Sequence, residues 1–520
     1  MVFSSKGRHR KAGTQVASPA SRVDRRRRSV VQLGALAASV GVGVATTALV
    51  GGNTRIGGSG GGGSDNGESA RLPVSIKDAS HDTGTGSMTT VLLVFPDHFS
   101  FRPDEIFVAV LGRAPWAPDV FGYVDPVRGT FHPTGSAADF RLDSATMTFS
   151  VSTLRRDGGQ SLTLTIPPLA SGRVYFAFGR GFDAMPPFGA GGPSNGADNP
   201  VLYDKFELHT ADHPNFKLTN ADFWSVPFTI SAIDANTGTR RVVGYPHRRA
   251  DMIAAFDSIP VPDAAEPFGN PSIFKALRVS ANDGRLTRIL SPKQARFTDW
   301  GRDDATRLAL AQRFTHFWDR YVNELCWRPN RLFSFYGKDL TDKRVFYGRV
   351  APDGMTLSLF TDAAYTVPYR VPTLPRPSAR WGQPDYSPAD GNPSLFHNTD
   401  SSVGPIDWGF LLAGNAGAQA GDGAHWASDP AAIAIAMSIC RGVMHLDDGC
   451  VSWIDPARFY NGAGDGVDTP RMPIFWYAKL LHAFGIDARA YAFSYDDVYG
   501  TDPAVYFGSH SELIVQFGQM

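Results

Sequence analysis

The sequence predicts a mainly β protein that also contains a smaller mixed α/β part. Residues 71–245 carry short runs of β-branched and aromatic residues separated by Gly, Pro and Asp, which is typical of strands joined by turns. Helical periodicity appears from about residue 250, and strand-like runs return at the C-terminus. A chain of 520 residues is also too long for one hydrophobic core. We therefore expect a β barrel or sandwich into which a mixed α/β domain is inserted.

The predicted β part consists of short strands, in keeping with the high content of Gly (54) and Pro (37). Alternation within the run YDKFEL places Tyr203, Lys205 and Glu207 on one face of its strand, and Asp204 and Phe206 on the other. The strand-like runs before residue 245 are VLLVFPDH, EIFVAVLG, ATMTFSVSTL, SLTLTIPPL, RVYFAFG, YDKFEL and ADFWSVPFTI.

The middle of the chain combines helices, one strand pair and long loops. KRVFYGRV and MTLSLF predict a pair of strands, and residues 366–430, rich in Pro, Gly, Asn and Asp, predict loops. ARAYAFSYDD and SELIVQFG predict strands at the end of the chain. The runs with helical periodicity are ADMIAAFDSI, DDATRLALAQRFTHFWDRYVNELCW, PAAIAIAMSICRGVMH and MPIFWYAKLLHAFG.

These changes of pattern give the predicted domain boundaries. Residues 1–50 form an export signal or an anchor, and residues 51–80 form a Gly/Ser-rich linker. The β domain combines residues 81–250 with residues 484–520. The mixed α/β domain occupies residues 251–483.

The N-terminal segment indicates a location outside the cytoplasm. Four arginines, Arg25–Arg28, precede 22 uncharged residues, Ser29–Val50, and the segment resembles a twin-arginine export signal. Small residues at Thr46 and Ala48 permit cleavage after Ala48, whereas an uncleaved segment of this length can just span a bilayer. We expect an extracytoplasmic protein in either case, either secreted or tethered by this segment.

The charge distribution argues against a nucleic-acid partner. Residues 1–56 hold ten of the 50 basic residues and one of the 50 acidic residues, so the rest of the chain is net acidic. Recognition of nucleic acid needs a basic face, whereas an acidic body is compatible with a neutral substrate.

The cysteines predict neither a structural zinc site nor a dense disulfide framework. The chain has three of them, Cys326, Cys440 and Cys450, without a CxxC motif or a Cys/His cluster. We expect no metal and no cofactor. Cys440 and Cys450 could pair in an oxidising compartment, and the sequence leaves that pairing open.

Glu207 and Asp222 are the candidate catalytic residues, each in a strand-like run rich in aromatic residues. If the two runs pair as neighbouring strands, both acids line one cleft. Two carboxyl groups facing a cleft suit glycoside hydrolysis, because one donates a proton to the leaving oxygen while the other activates water or attacks the sugar. The alternative is two solvated strand acids, one of them paired with Lys205.

An ordered set of segments resembles the bacterial β-1,3-glucanases of glycoside hydrolase family 64, the laminaripentaose-producing type. The resemblance extends over roughly residues 85–518. The end of the chain, YAFSYDDVYGTDPAVYFGSHSELIVQFG, also resembles that of plant thaumatin-like proteins, which share a barrel with this family. The segments are SLTLTIPPLASGRVYFAFG, YDKFEL, NADFWSVPFTI, GRLTRILSPKQARF, FTHFWDRYV, ICRGVMH and FWYAKLLHAFGIDARAYAFSYDDV.

The resemblance implies a thaumatin-like β barrel or sandwich, an inserted α/β domain and a wide groove between them that takes a β-1,3-glucan chain. It implies an endo-type glucanase that acts with inversion and releases short oligosaccharides. Glu207 matches the general acid and Asp222 the general base, and inversion requires their carboxyl groups to lie roughly 6.5–9.5 Å apart. We expect the glucan as partner, no protein partner, and a monomer.

The resemblance also implies four substrate-binding residues. Thr219 matches a threonine that contacts sugar, and Phe216 stands near a position where the family offers a tryptophan; the alternative for Phe216 is an ordinary packing residue. Asp496 and Asp497 belong to a segment that contributes acids to the same cleft, and the alternative for them is a turn after a strand.

A second function stays open at this point. Barrels of the thaumatin type can keep an acidic cleft without activity, so the chain could be a non-catalytic module that binds β-glucan. The sequence also departs from the family around YDDV, where Ala and Ser replace the usual Gly and Pro, and in the unusual loops of residues 366–430.

Overall fold

The computed structural model describes most of the chain beyond residue 87, and every described residue belongs to one compact unit, Val40–Met520. The predicted export signal and linker lie outside the described residues, and the domain boundaries stay predictions. Among the described helices, none combines the length and the apolar character needed to cross a bilayer. The described residues are 88–136, 144–157, 161–182, 201–234, 236–259, 271–281, 283–292, 317–318, 321–336, 345–375, 430–446, 455–460, 474–493, 496, 501–508 and 511–520.

Strands dominate the described structure, which confirms the prediction of a mainly β fold with additional helices. The strands are β1 Thr89–Val94, β2 Ile106–Ala114, β3 Ala117–Asp125, β4 Thr130–Ser136, β5 Phe149–Ser150, β6 Arg155–Asp157, β7 Ser161–Ile166, β8 Ser171–Phe178, β9 Leu202–His209, β10 Asn215–Leu218, β11 Phe223–Trp224, β12 Phe228–Asp234, β13 Arg240–Gly244, β14 Arg278–Ser280, β15 Leu286–Leu290, β16 Leu332–Tyr336, β17 Val345–Val350, β18 Thr356–Phe360, β19 Pro368–Pro375, β20 Ala504–Tyr506 and β21 Ser511–Phe517.

The described helices are few and short. The longest of them, α3, covers part of the predicted run PAAIAIAMSICRGVMH; α2 overlaps the run ADMIAAFDSI, and α4 falls within MPIFWYAKLLHAFG. The α-helices are α1 Ser144–Met147, α2 Arg249–Asp257, α3 Pro430–Cys440 and α4 Trp476–Phe484; a π-helix spans Tyr321–Cys326, and 3-10 helices span Pro103–Glu105, Val151–Thr153, Pro271–Leu277, Pro456–Arg458 and Ile486–Ala488.

A six-stranded sheet joins the two ends of the described chain. Its strand order is β13-β12-β21-β1-β7-β6. The last strand, β21, runs parallel to β1 and antiparallel to β12, so it fills the middle of the sheet. The first and last strands of the described chain are therefore neighbours in one sheet.

An eight-stranded sheet carries the candidate acid Glu207. Its main path is β20-β10-β9-β8-β2-β3-β4, and the short β5 pairs with β2. Antiparallel pairing places β9 between β8 and β10. Two smaller sheets have the orders β11-β15-β14 and β16-β17-β18-β19, and the latter contains the predicted pair KRVFYGRV and MTLSLF as β17 and β18.

Aromatic side chains pack the two large sheets against each other. Phe517 of β21 is almost fully buried, and its ring centroid lies 5.0 Å from that of Phe176 and 5.7 Å from that of Phe178, both on β8. Phe95 stacks on the same ring at 4.9 Å. Each such ring removes a large apolar area from water, which makes this cluster a main source of stability.

Three strand predictions were wrong. ATMTFSVSTL forms α1, the two-residue β5 and a 3-10 helix instead of one strand. ADFWSVPFTI is broken into β11 and β12, which belong to different sheets. The described part of ARAYAFSYDD beyond the 3-10 helix Ile486–Ala488 is irregular. Most of the predicted helix DDATRLALAQRFTHFWDRYVNELCW lies outside the described residues, and its end forms the π-helix.

Substitution of Phe517 by Ala tests the packing between the two large sheets. We expect Phe517→Ala to lower the free energy of unfolding by about 3–5 kcal/mol, because the lost ring leaves a cavity between them. Glu512→Ala, at an exposed position on the same strand, is the matched control and should change the stability little. Denaturant unfolding of both variants measures the difference, and equal stabilities contradict the proposed packing.

Candidate active site

One face of β9 gathers charged side chains around Glu207. The strand register places Glu207 opposite Arg173 of β8 on one side and opposite Lys217 of β10 on the other. Lys205, two residues earlier on the same face, stands opposite Tyr175. The predicted alternation of YDKFEL is therefore confirmed, and Glu207 lies between two cationic residues.

Arg173 binds Glu207 directly. Its Nη2 atom donates to Oε1 of Glu207 at 3.4 Å, and 17% of the Glu207 side chain remains exposed. Lys217 contacts Asp502 and Tyr491: its Nζ lies 3.7 Å from Oδ1 of Asp502 and 4.5 Å from the ring centroid of Tyr491. Glu207 is thus partly exposed to solvent and forms an ion pair with Arg173 of the neighbouring strand.

Asp222 reaches this face from a loop and not from a paired strand. The neighbours of β9 in its sheet are β8 and β10, whereas β11 pairs with β15, so the runs YDKFEL and ADFWSVPFTI do not pair with each other. Nζ of Lys205 instead donates to Oδ2 of Asp222, with Lys205 fully buried and 9% of the Asp222 side chain exposed. The amide of Ser291 donates to the backbone oxygen of Asp222 at 2.9 Å and fixes the end of the loop.

Asn220 anchors this loop to distant parts of the chain. Its amide donates to the backbone oxygen of Tyr491 at 2.9 Å, and its backbone oxygen accepts from the Tyr477 hydroxyl at 2.6 Å. The Tyr245 hydroxyl donates to its side-chain oxygen at 2.8 Å. Three separate elements therefore determine where Asp222 stands.

Burial and mutual attraction shift the pKa values of the groups beneath the acids. Burial lowers the pKa of Lys205, and the charge of Asp222 opposes that shift. Burial also disfavours the charge of Arg173, but Tyr175, Glu207 and Asp222 outweigh it and raise the Arg173 pKa. Burial raises the pKa of Tyr175, so its hydroxyl stays protonated at neutral pH. These couplings show that the cations and both carboxyl groups form one electrostatic cluster.

Asp204, on the opposite face of β9, explains why ADFWSVPFTI is not one strand. Its Oδ2 accepts from the amides of Ser225 and Val226 at 2.9 and 2.8 Å, which turns these amides away from strand pairing. Its Oδ1 accepts from the amide of Lys205 at 2.8 Å. Burial raises the pKa of Asp204 to about 6, although the three amides partly counteract the shift.

Phe216 is a packing residue in this structure. Cross-strand pairing with Leu208 places it on the face opposite Glu207, where its side chain is 0% exposed. Its ring centroid lies 5.2 Å from that of Phe206 and 5.0 Å from that of Phe507. A ring enclosed in this way offers no face to a sugar, so Phe216 is not a substrate contact in this structure.

Asp496 is also buried and bound by protein groups, so the expected substrate contact is corrected. His482 Nε2 lies 2.7 Å from its Oδ2, the amide of Ala492 donates to the same atom at 3.1 Å, and Arg441 Nη2 donates to its Oδ1 at 3.4 Å. The Tyr460 hydroxyl donates to Oδ1 at 3.4 Å. With 0% exposure, Asp496 holds this part of the core together.

Thr219 and Asp497 complete the predicted substrate contacts. Thr219 is buried in the loop before Asp222, and its role stays a prediction. Asp497 lies outside the described residues.

Sequence reasoning missed the role of Arg173, and it named Lys205 only in the alternative interpretation, as the partner of one of the two acids. The available signal was a pair of cationic residues within strongly apolar strand runs, RVYFAFG and YDKFEL. A cation in such a run is costly to bury unless it has a partner, which points to nearby carboxylates. The partner of Lys205, however, comes from outside its sheet and could not be read from the strand pattern.

The described residues contain no group of three or more His, Cys, Asp or Glu side chains suited to holding a metal ion. Cys326 and Cys440 are buried thiols that form no disulfide, and Cys450 lies outside the described residues. Burial raises the pKa of Cys326 to about 12, as expected for an unreactive core thiol.

Comparison with protein families places the chain among carbohydrate-active enzymes. The family model Glyco_hydro_64, described as β-1,3-glucanase, matches residues 93–509, which is most of the chain. No match was found among curated protein sequences.

Three solved structures are similar to this chain. A laminaripentaose-producing β-1,3-glucanase in complex with laminaritetraose is 18% identical, with a TM-score of 0.56, and the match covers 84% of this chain and 99% of that chain. A β-1,3-glucanase domain (GH64) from Clostridium beijerinckii is 18% identical with a TM-score of 0.48, covering 84% of this chain and 100% of that chain. A GH family 64 laminaripentaose-producing β-1,3-glucanase from Paenibacillus barengoltzii is 17% identical with a TM-score of 0.44, covering 82% and 75%.

The pH dependence of stability tests the buried state of Asp204. Its pKa is raised from 3.8 to about 6 on folding, so the folded protein binds this proton more tightly than the unfolded chain. The resulting stabilisation, at most about 3 kcal/mol, is fully present below the lower value and is lost as the pH rises through the higher one. Asp204→Asn cannot ionise, so we expect a smaller fall in unfolding free energy between about pH 4 and pH 7, measured by denaturant titration.

Asp251→Asn, which changes an exposed acid of α2, is the control for this measurement and should keep the wild-type pH dependence. If Asp204→Asn loses as much stability across this pH range as the wild type, Asp204 does not titrate as proposed.

Proposed function

Because the chain belongs to the β-1,3-glucanases of glycoside hydrolase family 64, we propose that it cleaves β-1,3-glucan by inversion, with Glu207 as general acid and Asp222 as general base. The observation that carries this assignment is the charged cluster on β9, which brings the two carboxyl groups to one sheet face through Arg173 and Lys205.

The strand spacing supports a separation suited to inversion. Lys205 and Glu207 project from the same face of β9, two residues apart, which corresponds to about 6.6–6.8 Å along a strand. Asp222 binds Nζ of Lys205, and we propose that its carboxyl group stands at a comparable offset from that of Glu207. An inverting pair needs roughly 6.5–9.5 Å so that a water molecule fits between base and sugar.

The proposed reaction assigns each group one proton transfer. Glu207 gives its proton to the glycosidic oxygen as the bond from that oxygen to the anomeric carbon breaks. Asp222 takes a proton from the water that attacks the same carbon from the opposite side, so the new bond has inverted configuration. Negative charge develops on Glu207 during this step, and Arg173, with its Nη2 at 3.4 Å, stabilises that charge as it forms.

Solvent access supports this division of roles. Glu207 retains 17% exposure and Asp222 retains 9%, so a substrate oxygen and a water molecule can approach them, whereas Lys205 beneath is closed to solvent. The products that fit an endo-acting enzyme of this family are short oligosaccharides. The N-terminal segment supports export, which matches a polymeric substrate that does not enter cells.

Replacement of the two acids tests the assignment. We expect Glu207→Gln and Asp222→Asn each to lower kcat on linear β-1,3-glucan by about 10²-fold or more while glucan binding is largely kept, because each removes a proton transfer and little surface. Glu512→Gln, which changes an exposed acid remote in sequence, should behave as the wild type.

Reducing-end release gives kcat, and sedimentation with insoluble glucan gives binding. Turnover by Glu207→Gln at the wild-type rate removes Glu207 from the mechanism. A wild-type protein that binds glucan without releasing any product indicates a non-catalytic glucan-binding module instead.

A further inference from the structure

We propose that Lys205 is a positioning residue for Asp222: it fixes the carboxylate of the proposed base next to Glu207 and keeps it ionised for the attack of water. This inference rests on the proposed function. It adds to the reaction a residue that does not touch the sugar and acts through Asp222.

Among the described residues, Lys205 is in direct contact with the carboxylate of Asp222. Its Nζ donates to Oδ2 of Asp222, and the ring centroid of Phe223 lies 5.2 Å from the same nitrogen. Lys205 is fully buried and pairs with Tyr175 of the neighbouring strand β8. Its charged end therefore points at the loop that carries Asp222, and its stem is held by β9.

A purely structural role does not account for this arrangement. Burying a lysine beneath a partly exposed aspartate costs desolvation energy, and a hydrophobic side chain of similar volume is often neutral or stabilising at such a site. The position is lined by Tyr175 and Phe223, which would suit such a side chain. We therefore explain the lysine at this position by what it does for Asp222.

The other charged and titratable groups around the pair come from every strand packed against it. Arg173 and Tyr175 lie on β8, Lys217 lies on β10, and Glu207 lies on the same face of β9. Asp204 lies on the far face of β9, and Arg288 of β15 stacks over the Tyr203 ring at 4.3 Å. In the described structure Arg173 is in contact with Glu207, and Lys205 is in contact with Asp222.

The consequence for the reaction is a division between holding and transferring protons. In the proposed reaction Lys205 keeps its proton throughout, because the charge of Asp222 opposes the lowering of its pKa by burial, and it donates a hydrogen bond to Asp222 before and after the step. Asp222 accepts the proton of the attacking water, and Glu207 supplies the proton to the leaving oxygen, so protons balance without Lys205. A positive charge in hydrogen-bond contact favours the ionised carboxyl, so loss of the Lys205 charge should make Asp222 ionise only at higher pH.

The pH dependence of kcat distinguishes this role from simple packing. The full chain carrying Lys205→Met, which removes the charge at similar volume, or Lys205→Gln, which keeps a hydrogen-bond donor, is compared with Lys205→Arg, which keeps the charge. Arg288→Met is the matched control, because Arg288 is an equally buried cation that donates to the Val201 backbone oxygen at 2.8 Å and packs over the Tyr203 ring. Thermal unfolding confirms that each protein is folded.

We expect both neutral variants to move the acidic limb of the kcat profile upward by about 1–3 pH units, with KM for linear β-1,3-glucan nearly unchanged. Lys205→Arg should keep the limb near its wild-type position, but with kcat about tenfold lower, because the larger guanidinium displaces Asp222. Arg288→Met should lower stability without moving the limb.

An acidic limb that stays at its wild-type pH in a folded neutral variant overturns the proposal. If neither neutral variant folds, Lys205→Arg decides, and wild-type kcat in that variant also overturns it. If the wild-type protein releases no product, the proposed function fails, and this inference fails with it. If the wild type is active but the acidic limb of the neutral variants does not move, only the inference fails.

Discussion

The burial of charged side chains on one face of the eight-stranded sheet is the constraint on which the site depends. Lys205 and Arg173 are removed from water, and a buried charge without a partner costs several kcal/mol. Asp222 and Glu207 offset that cost, since each accepts a hydrogen bond from one of these cations. The requirement for pairing therefore brings two carboxyl groups together where a core sheet would otherwise carry apolar residues.

Such a cluster needs a rigid surrounding, and the rest of the fold provides it. The loop before Asp222 is fixed through Asn220 by Tyr477 of α4 and by Tyr245, which follows β13. The sheet beneath is packed against a second sheet that the last strand, β21, completes. Residues near both ends of the described chain thus hold a site whose two acids are fifteen positions apart in sequence.

Much of this architecture could be predicted from the sequence, because strand periodicity is a local property. The alternation around Glu207 was readable since neighbouring side chains on a strand must point to opposite faces. Asp204 broke the run ADFWSVPFTI by binding two of its amides, and no local pattern records that contact. Phe216 and Asp496 were placed near the substrate by resemblance, whereas their burial depends on packing partners distant in sequence. The fold class was predictable, and the partners of buried polar groups were not.

The central claim is that Glu207 and Asp222 act as an acid and base pair on opposite sides of the bond. The anomeric configuration of the first product tests this claim most directly. Proton NMR of the wild-type protein with linear β-1,3-glucan follows the anomeric signals before mutarotation. Short oligosaccharides that appear first as the α-anomer are the predicted result, since direct attack by water inverts the β-linkage. Products that appear first as the β-anomer contradict the account, because retention requires a covalent intermediate on one of the carboxylates.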